Sequence, residues 1–207
     1  MIQALYIAAL VTGVYCCYRF LTAKASTRTV KIAYKCIPTI CTAALAVFAA
    51  VQGNKSGLYL MAAGLSLCVL ADAVLEVSFI PGALLFACAH IGFACYFVSF
   101  DAPFIPRILC FAAMSVFIYF MVVRMKNVHP VKTPGLLIVY GVILSAMFAL
   151  SIGTSIPFVA GALSFTLSDT LLGLRIIGFR QIRYSGIYVM VLYYSALYLF
   201  ALGCILT

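Results

Sequence analysis

The chain has 207 residues, of which 67% are hydrophobic and 8% charged, and its mean hydropathy is +1.23. A soluble domain carries about 45–50% apolar and about 25% charged residues. A water-soluble globule is therefore excluded, because too few polar side chains exist to cover its surface. Thirteen Lys and Arg against four Asp and Glu give a net charge of +9. In so apolar a chain this excess indicates membrane topology rather than nucleic-acid binding, and we expect an integral, multi-pass protein of the cell membrane.

Eight apolar segments are long enough to cross a bilayer, which takes roughly 20 residues. In chain order they cover residues 1–21, 36–52, 58–75, 82–100, 104–123, 135–151, 156–174 and 186–206. The connections between them are too short to form a soluble domain. In lipid, each backbone amide must find its partner within its own segment. We therefore predict an all-α bundle of eight transmembrane helices, forming a single transmembrane domain over residues 1–207.

The basic residues predict the orientation of the bundle. Eleven of them surround the first, fifth and seventh connections, namely Arg19, Lys24, Arg28, Lys31, Lys35, Arg124, Lys126, Lys132, Arg175, Arg180 and Arg183. The connections on the opposite side carry only Lys55 and Arg107. Cytoplasmic loops are enriched in Lys and Arg. The sequence therefore predicts that the eleven lie on the cytoplasmic side and that both termini lie outside.

Ionisable side chains within the spans indicate where a functional site lies, because such residues are costly in a bilayer and are usually functional. Asp72 and Asp169 lie near the cytoplasmic ends of the third and seventh predicted spans. His90 lies at nearly the same depth in the fourth span. Glu76 follows Asp72 by four residues and therefore shares its helix face. These side chains predict one polar layer near the cytoplasmic side.

Three more polar residues reach the same layer from other helices. Tyr193 and Tyr194 lie early in the eighth span, and Lys35 lies at the cytoplasmic mouth of the second. Polar groups from five helices thus converge on one slab, which scattered structural residues would not be expected to do. The layer is our candidate site.

Small residues flank two of these polar side chains at helical spacing. At positions i−7, i−3 and i+4 from Asp169 the residues are Ala162, Thr166 and Gly173. At the same positions from His90 they are Ala83, Ala87 and Ala94. Small residues at this spacing are typical of close helix–helix contact rather than lipid exposure. We therefore expect both polar side chains to point into the bundle.

The two aspartates suggest acid–base chemistry. A buried carboxylate costs several kcal/mol unless it is paired or protonated. No Lys or Arg is expected within the membrane-embedded helices to pair with Asp72. A carboxylic acid held protonated is a proton donor, and a neighbouring ionised carboxylate is a base. The alternative is structural: a neutral aspartic acid that hydrogen-bonds a neighbouring helix.

Other catalytic chemistries find less support. A zinc hydrolase typically uses three protein ligands, often His, and the chain has two His, one of which is His129 in a predicted loop. No G-x-S-x-G elbow and no Gly-rich phosphate loop is present. The sequence therefore argues against a zinc site, and Mg²⁺ or Ca²⁺ bound by the oxygens of Asp72, Glu76 and Asp169 stays open as an alternative.

An internal repeat relates the two aspartates. The pattern Ala63-Gly64 followed by Leu70, Asp72 and Leu75 returns as Ala160-Gly161 followed by Leu167, Asp169 and Leu172, at a constant offset of 97. The third and seventh spans run in the same direction. The repeat therefore predicts a parallel four-plus-four duplication.

At these residues the chain resembles the YhhN-like lysoplasmalogenase family of eight-span membrane proteins. The matching stretches are residues 65–75 (LSLCVLADAVL), 79–86 (FIPGALLF) with His90 behind them, 161–172 (GALSFTLSDTLL) and 193–196 (YYSA), with Lys35 and Pro38 as a looser match. Two positions depart from the family pattern. Ala71 stands where Gly usually precedes the first Asp, and Leu197 stands where Gln usually follows the late Tyr and Ala.

The resemblance implies hydrolysis of the vinyl ether bond of a lysoplasmalogen, giving a fatty aldehyde and glycerophospho-ethanolamine or -choline, without a cofactor. It implies Asp72 and Asp169 as acid and carboxylate or base, in either order, with His90 orienting water or relaying a proton. The implied substrate-binding residues are Lys35, Glu76, Ser168, Tyr193 and Tyr194, with Lys35 and Tyr194 at the phosphate end. A lysophospholipid from the bilayer would be the partner, and the oligomeric state is left open.

Transport is the alternative function. An eight-span bundle with buried carboxylates fits a proton-coupled carrier of small amphiphilic molecules. The predicted spans lack the paired Gly or Pro breaks that mark midplane substrate sites, since Pro157 lies at a span start. A purely structural subunit would leave the convergent polar layer unexplained.

Overall fold

The computed structural model describes residues 2–22, 27–126, 134–176 and 185–207. Over these residues it contains eight α-helices: α1 (Ile2–Thr22), α2 (Arg28–Gly53), α3 (Leu58–Leu75), α4 (Phe79–Val98), α5 (Phe104–Lys126), α6 (Pro134–Ser151), α7 (Ile156–Ile176) and α8 (Ser185–Leu206). Each is long and apolar enough to cross a membrane. The prediction of an all-α bundle of eight spanning helices is confirmed. Four of the basic residues used to predict orientation, Lys24, Lys132, Arg180 and Arg183, lie outside the described residues, and the orientation stays a prediction.

The second helix differs most from its predicted bounds. It begins at Arg28 rather than at residue 36, so it is about two turns longer at its first end. Charged residues at a helix end extend the helix beyond the apolar segment that hydropathy detects. Lys31 and Lys35 therefore lie on α2 and not in the first connection, which changes what they can contact.

Six helices form a closed ring, and two lie outside it. In the described chain, α2 contacts α3, α3 contacts α4, α4 contacts α6, α6 contacts α7, α7 contacts α8, and α8 returns to α2. The α1 helix lies outside against α2 and α8, and α5 lies outside against α6. If α1–α4 are matched in chain order with α5–α8, most helix contacts made in the first half have a counterpart in the second half. The predicted four-plus-four repeat requires such a correspondence.

Glycines at matching positions of the repeat allow the closest helix contacts. A Cβ atom at Gly64 would overlap the aromatic ring of Phe93, and one at Gly161 would lie 2.6 Å from Cδ1 of Phe200. Both phenylalanines are fully buried. In the α3–α4 pair and in the α7–α8 pair, a phenylalanine side chain therefore packs directly on the backbone of the facing glycine. This close packing fixes the positions of α3 and α7, the two helices that carry the aspartates.

Arg107 stabilises the end of the bundle far from the aspartates. It lies in the first turn of α5, is buried, and donates hydrogen bonds to the carbonyls of Phe97, Phe100 and Ile152 at 3.2, 3.3 and 2.9 Å. These carbonyls lie at the carboxyl ends of α4 and α6, where a cation is favourable. The ends of three helices are thereby joined.

Candidate active site

A polar cavity of about 490 Å³ opens at the end of the ring where α3 and α7 finish and α2 and α8 begin. This volume lies within the range of about 300–1,000 Å³ typical of small-molecule sites. Its charged lining residues are Lys31, Lys35, Asp72, Glu76, Asp169 and Arg175. Three cations and three carboxylic acids thus face one space inside an otherwise apolar bundle.

Asp72 lies at the centre of the first polar group, which we call the Asp72 cluster (Lys35, Thr39, Asp72, Glu76 and Tyr193). Its side chain is buried, and its Oδ2 accepts hydrogen bonds from Thr39 Oγ1 at 2.6 Å and from Tyr193 Oη at 2.8 Å. Its Oδ1 lies 3.7 Å from Lys35 Nζ and has no hydrogen-bond partner among the described residues. Three helices, α2, α3 and α8, therefore fix this carboxyl group.

The contact of Lys35 with Asp72 corrects the expectation that no cation would be available to pair with it. Lys35 is buried, and its Nζ also lies 3.1 Å from Glu76 Oε1. The expectation was wrong because it placed residue 35 outside the second helix, whereas α2 begins two turns earlier. Lys35 thus bridges Asp72 of α3 and Glu76, the residue that directly follows α3, and its charge favours an ionised carboxylate at Asp72.

The second polar group is the Asp169 cluster (His90, Tyr140 and Asp169). His90 Nε2 lies 3.0 Å from Asp169 Oδ2, Tyr140 donates a hydrogen bond to the same oxygen, and His90 Nε2 lies 3.2 Å from Tyr140 Oη. The imidazole is fully buried and packs edge-on against Phe165, with ring centroids 4.6 Å apart. Its Nδ1 has no partner within the described part of the chain. One proton can be shared between His90 and Asp169 in this geometry.

An apolar cleft adjoins the polar cavity on the side of Asp169. It is smaller, about 50 Å³, and is lined by residues of α3, α4, α6 and α7, including Phe79, Ala83, Leu136 and Gly173. It shares Leu75, Phe86, Asp169 and Leu172 with the polar cavity. Asp169 therefore lies at the boundary between a charged space and an apolar one, whereas Asp72 borders the charged space alone.

The environment of Gly173 corrects another expectation. The sequence pattern placed it at a close helix contact, but a Cβ atom at Gly173 would meet no other described atom within 4 Å. Ala162 and Thr166, at the other two positions of that pattern, are buried as expected. The pattern failed at Gly173 because no described part of a neighbouring helix fills the space beside it, and the residue instead borders the cleft.

The mouth of the polar cavity is basic. Lys31 of α2 and Arg175 of α7 both line it, and Arg175 is exposed. An added Cβ atom at Gly186, in the first turn of α8, would lie 3.1 Å from Nη1 of Arg175. The guanidinium thus lies beside the amino end of α8, where the helix dipole adds to its attraction for anions.

The structure brings most of the predicted site residues to this cavity. Lys35, Asp72, Glu76, Ser168, Asp169 and Tyr193 line it. Ser168 Oγ also donates to the carbonyl of Val189 at 3.0 Å, and His90 reaches the cavity through Asp169. Tyr194 is not brought there: its hydroxyl donates to the Lys35 carbonyl at 3.0 Å, and it borders a separate groove between α1 and α8.

Sequence reasoning missed four polar residues of the site. Thr39 lies one helical turn after Lys35, and Tyr140 is the first polar side chain of the sixth span, so both carried a detectable signal. Lys31 and Arg175 were assigned to topology alone. Their position at the cavity mouth depends on the length of α2 and on the rotation of α7 about its axis. Neither of these can be predicted from amino-acid composition.

The described residues contain no cluster of side chains suited to bind a metal ion. Among the described residues there is no group of three or more His, Cys, Asp or Glu side chains placed to hold one ion. Between Asp72 and Glu76, the position that a cation would take is filled by the amine of Lys35. The nine cysteines all lie within the described residues and are free thiols.

Comparison with known proteins identifies the family of the chain. The model of the YhhN family matches residues 30–204, which covers α2 through nearly all of α8 and both aspartate clusters. Neither the curated proteins nor the solved structures contain a match to the chain. The matched region is most of the sequence, and the chain therefore belongs to the YhhN family.

Proposed function

We propose that this protein hydrolyses the vinyl ether bond of lysoplasmalogens, giving a fatty aldehyde and a glycerophospho-base. Family membership is consistent with this activity. The observation that carries the proposal is that two aspartates, the buried Asp72 and the largely buried Asp169, border one cavity that has cations at its mouth and an apolar cleft at its side. A single-chain phospholipid has the same order of parts: an anionic head, a short glycerol link and a hydrocarbon chain.

The phosphate of the substrate is proposed to bind at the basic mouth. Lys31 and Arg175 supply ammonium and guanidinium groups that form strong hydrogen bonds with phosphate oxygens. Lys35 lies deeper and is already paired with Asp72 and Glu76, so its role is to hold these acids rather than to bind phosphate directly. Glu76 is partly exposed and can accept a hydrogen bond from an ethanolamine head.

We assign the general acid to Asp169. Hydrolysis of a vinyl ether begins with protonation of the β-carbon, which is the alkenyl carbon on the chain side of the bond. The acid must therefore reach the start of the hydrocarbon chain. Asp169 borders the apolar cleft as well as the polar cavity, and Asp72 does not border the cleft. His90 shares the proton of Asp169 and returns one to it after each turnover.

Asp72 is proposed to act as the ionised carboxylate. Protonation of the β-carbon leaves an oxocarbenium ion at the carbon attached to the ether oxygen, and a fixed negative charge stabilises this ion. Lys35, Thr39 and Tyr193 all favour the charged form of Asp72. Asp72 then accepts a proton from the water that adds to the cation. The same carboxylate thus first stabilises the oxocarbenium ion and then acts as the base.

The remaining step returns the site to its starting state. Addition of water gives a hemiacetal. Its carbon–oxygen bond to glycerol breaks, the glycerol oxygen takes up the proton held by Asp72, and the hydroxyl proton of the hemiacetal returns to the Asp169–His90 pair. The balance is one vinyl ether and one water consumed, with one aldehyde and one glycerol hydroxyl produced. All proton transfers use groups already in the cavity.

Aldehyde release by the purified protein tests the proposal. In detergent, the protein is given an alkenyl lysophospholipid, its saturated alkyl ether analogue and an acyl lysophospholipid with the same head group. The expected result is aldehyde from the alkenyl lipid alone, since only the vinyl ether can be protonated on carbon. Absence of aldehyde from a folded protein, together with proton-dependent uptake of the lipid into vesicles, would instead support a carrier.

A further inference from the structure

We infer that the apolar cleft between α4, α6 and α7 binds the first carbons of the substrate's hydrocarbon chain, and that Gly173 keeps this subsite open. The inference rests on the proposed function, because it assigns one part of the proposed substrate to one part of the site.

Continuity with the polar cavity is the first support. The cleft and the cavity share Leu75, Phe86, Asp169 and Leu172, so a molecule can extend from one to the other past Asp169. The other lining residues of the cleft include the side chains of Phe79, Leu136 and Leu137, which are apolar. Hydrocarbon is therefore favoured there over the charged head group.

The size and position of the cleft limit what it holds. The cleft volume of about 50 Å³ is well below the roughly 150 Å³ of an engineered protein cavity that holds one benzene, so only the first carbons of a chain fit inside. Phe79, at the amino end of α4, is exposed on the outer surface of the bundle. The rest of the chain is therefore expected to extend past Phe79 into the bilayer, which makes the site open sideways to lipid.

Gly173 is the position at which the subsite can be closed. No described atom lies within 4 Å of where its Cβ would be, so its lack of a side chain is not required by helix packing. A larger residue can be accommodated by α7 and would project into the space around Asp169. Glycine is also unfavourable within a helix relative to most residues. A larger side chain here is therefore expected to fill the subsite while leaving the fold intact.

A competing route lies on the other side of the bundle. The groove between α1 and α8 has a volume of about 350 Å³ and is also largely apolar. It shares Leu21 with the polar cavity but includes neither aspartate. A chain in that groove would lie away from Asp169, the residue that must reach its first carbons.

Cross-linking tests the inference without requiring turnover. The probe is an alkyl ether lysophosphatidylethanolamine that carries a diazirine close to the glycerol end of its chain and has no vinyl ether to hydrolyse. After illumination, labelled peptides of the full-length protein are mapped by mass spectrometry. We expect labelling of Leu136, Leu137 and Leu172, and loss of this labelling in Gly173→Leu. Labelling of the α1–α8 groove instead, for example at Val191, would overturn the inference.

Kinetics of cleft variants supply a second test. Gly173→Leu and Ala83→Leu, which fill the cleft from α7 and α4, are each expected to raise KM for an alkenyl lysophospholipid by about tenfold or more. Gly135→Leu is the matched control, because no described residue fills the space at its Cβ position either, and Gly135 does not border the cleft. An unchanged KM in both cleft variants at matched folding would contradict the inference.

The two tests separate this inference from the proposed function. Labelling of the cleft by a protein that releases no aldehyde would retain the chain subsite and reject the hydrolase. Aldehyde release by a protein whose label lies in the α1–α8 groove would retain the hydrolase and reject the subsite.

Discussion

Lys35 Nζ lies 3.7 Å from Asp72 Oδ1, and this contact distinguishes the two aspartates of the site. Asp72 has a buried ammonium group beside it, whereas Asp169 has an imidazole and a phenol. The internal repeat places the two acids at equivalent positions on α3 and α7, but their partners differ. The difference in partners is the physical basis for giving them different roles.

Replacement of either aspartate by asparagine is expected to abolish turnover. Asn keeps the shape and can still hydrogen-bond, but it can neither donate a proton nor balance a cation. We expect Asp72→Asn and Asp169→Asn each to reduce kcat by at least about 10²–10⁴-fold. Because both act on one transition state, the double variant should be scarcely slower than either single one. Aldehyde release at matched folding is the measurement.

Asp101→Asn is the control for these variants, since Asp101 is exposed at the far end of the bundle and should leave turnover unchanged. An Asp169→Asn protein that keeps more than about a tenth of wild-type turnover would contradict the assignment of Asp169 as the acid. A loss of expression or melting temperature with activity per folded molecule retained would indicate a structural role.

Replacement of His90 should have an intermediate effect. His90→Gln keeps a side chain that can hydrogen-bond Asp169 but cannot carry a proton between turnovers. We expect kcat to fall less in His90→Gln than in Asp169→Asn. Tyr140→Phe removes one hydrogen-bond donor to the same Asp169 oxygen, and we expect its effect to be smaller than that of His90→Gln. Steady-state kinetics of the three variants give the order. Equal losses in His90→Gln and Asp169→Asn would contradict a merely assisting role for His90.

Neutralisation of the cavity mouth should weaken substrate binding and leave the chemical step intact. Lys31→Gln and Arg175→Gln each remove one proposed phosphate contact, and we expect KM to rise about tenfold with kcat little changed. The effect should shrink at high ionic strength because the groups are partly exposed. Lys55→Gln removes a cation from the opposite end and is the matched control. A fall in kcat at constant KM would contradict a binding role.

The cavity is expected to face the cytoplasm. Single cysteines at Lys126 and at Lys55, in a variant from which the nine native cysteines are removed, can be labelled in intact cells with an impermeant thiol reagent. The bias of basic residues toward one side predicts labelling at position 55 and protection at position 126. The reverse pattern would overturn the orientation and place both termini inside.

Turnover is expected to be independent of divalent metal. The proposed steps use carboxyl groups, an imidazole and water, and Lys35 already occupies the space between Asp72 and Glu76. Excess chelator should therefore leave aldehyde release unchanged. Loss of activity in chelator that one specific ion restores would contradict the metal-free mechanism, and carboxylate oxygens would then be the first ligands to test.

The sequence by itself determined the class of the protein, its eight spans and the two acids of the candidate site. Hydropathy is local, and a span of about 20 residues is long enough to be detected without knowledge of its neighbours. The cost of an acid in a bilayer is likewise a property of the residue and its span. Asp72, Asp169 and His90 could therefore be singled out before any contact was known.

Only the tertiary structure decided how these residues are paired. The contact between Lys35 and Asp72 requires α2 to extend two turns beyond its apolar segment, and hydropathy does not detect a helix end rich in basic residues. The contact between Tyr140 and Asp169 depends on how α6 and α7 are rotated. Gly173 showed the same limit, because a small residue at helical spacing indicates a possible close approach, and whether a neighbouring helix fills that space is set by the whole bundle.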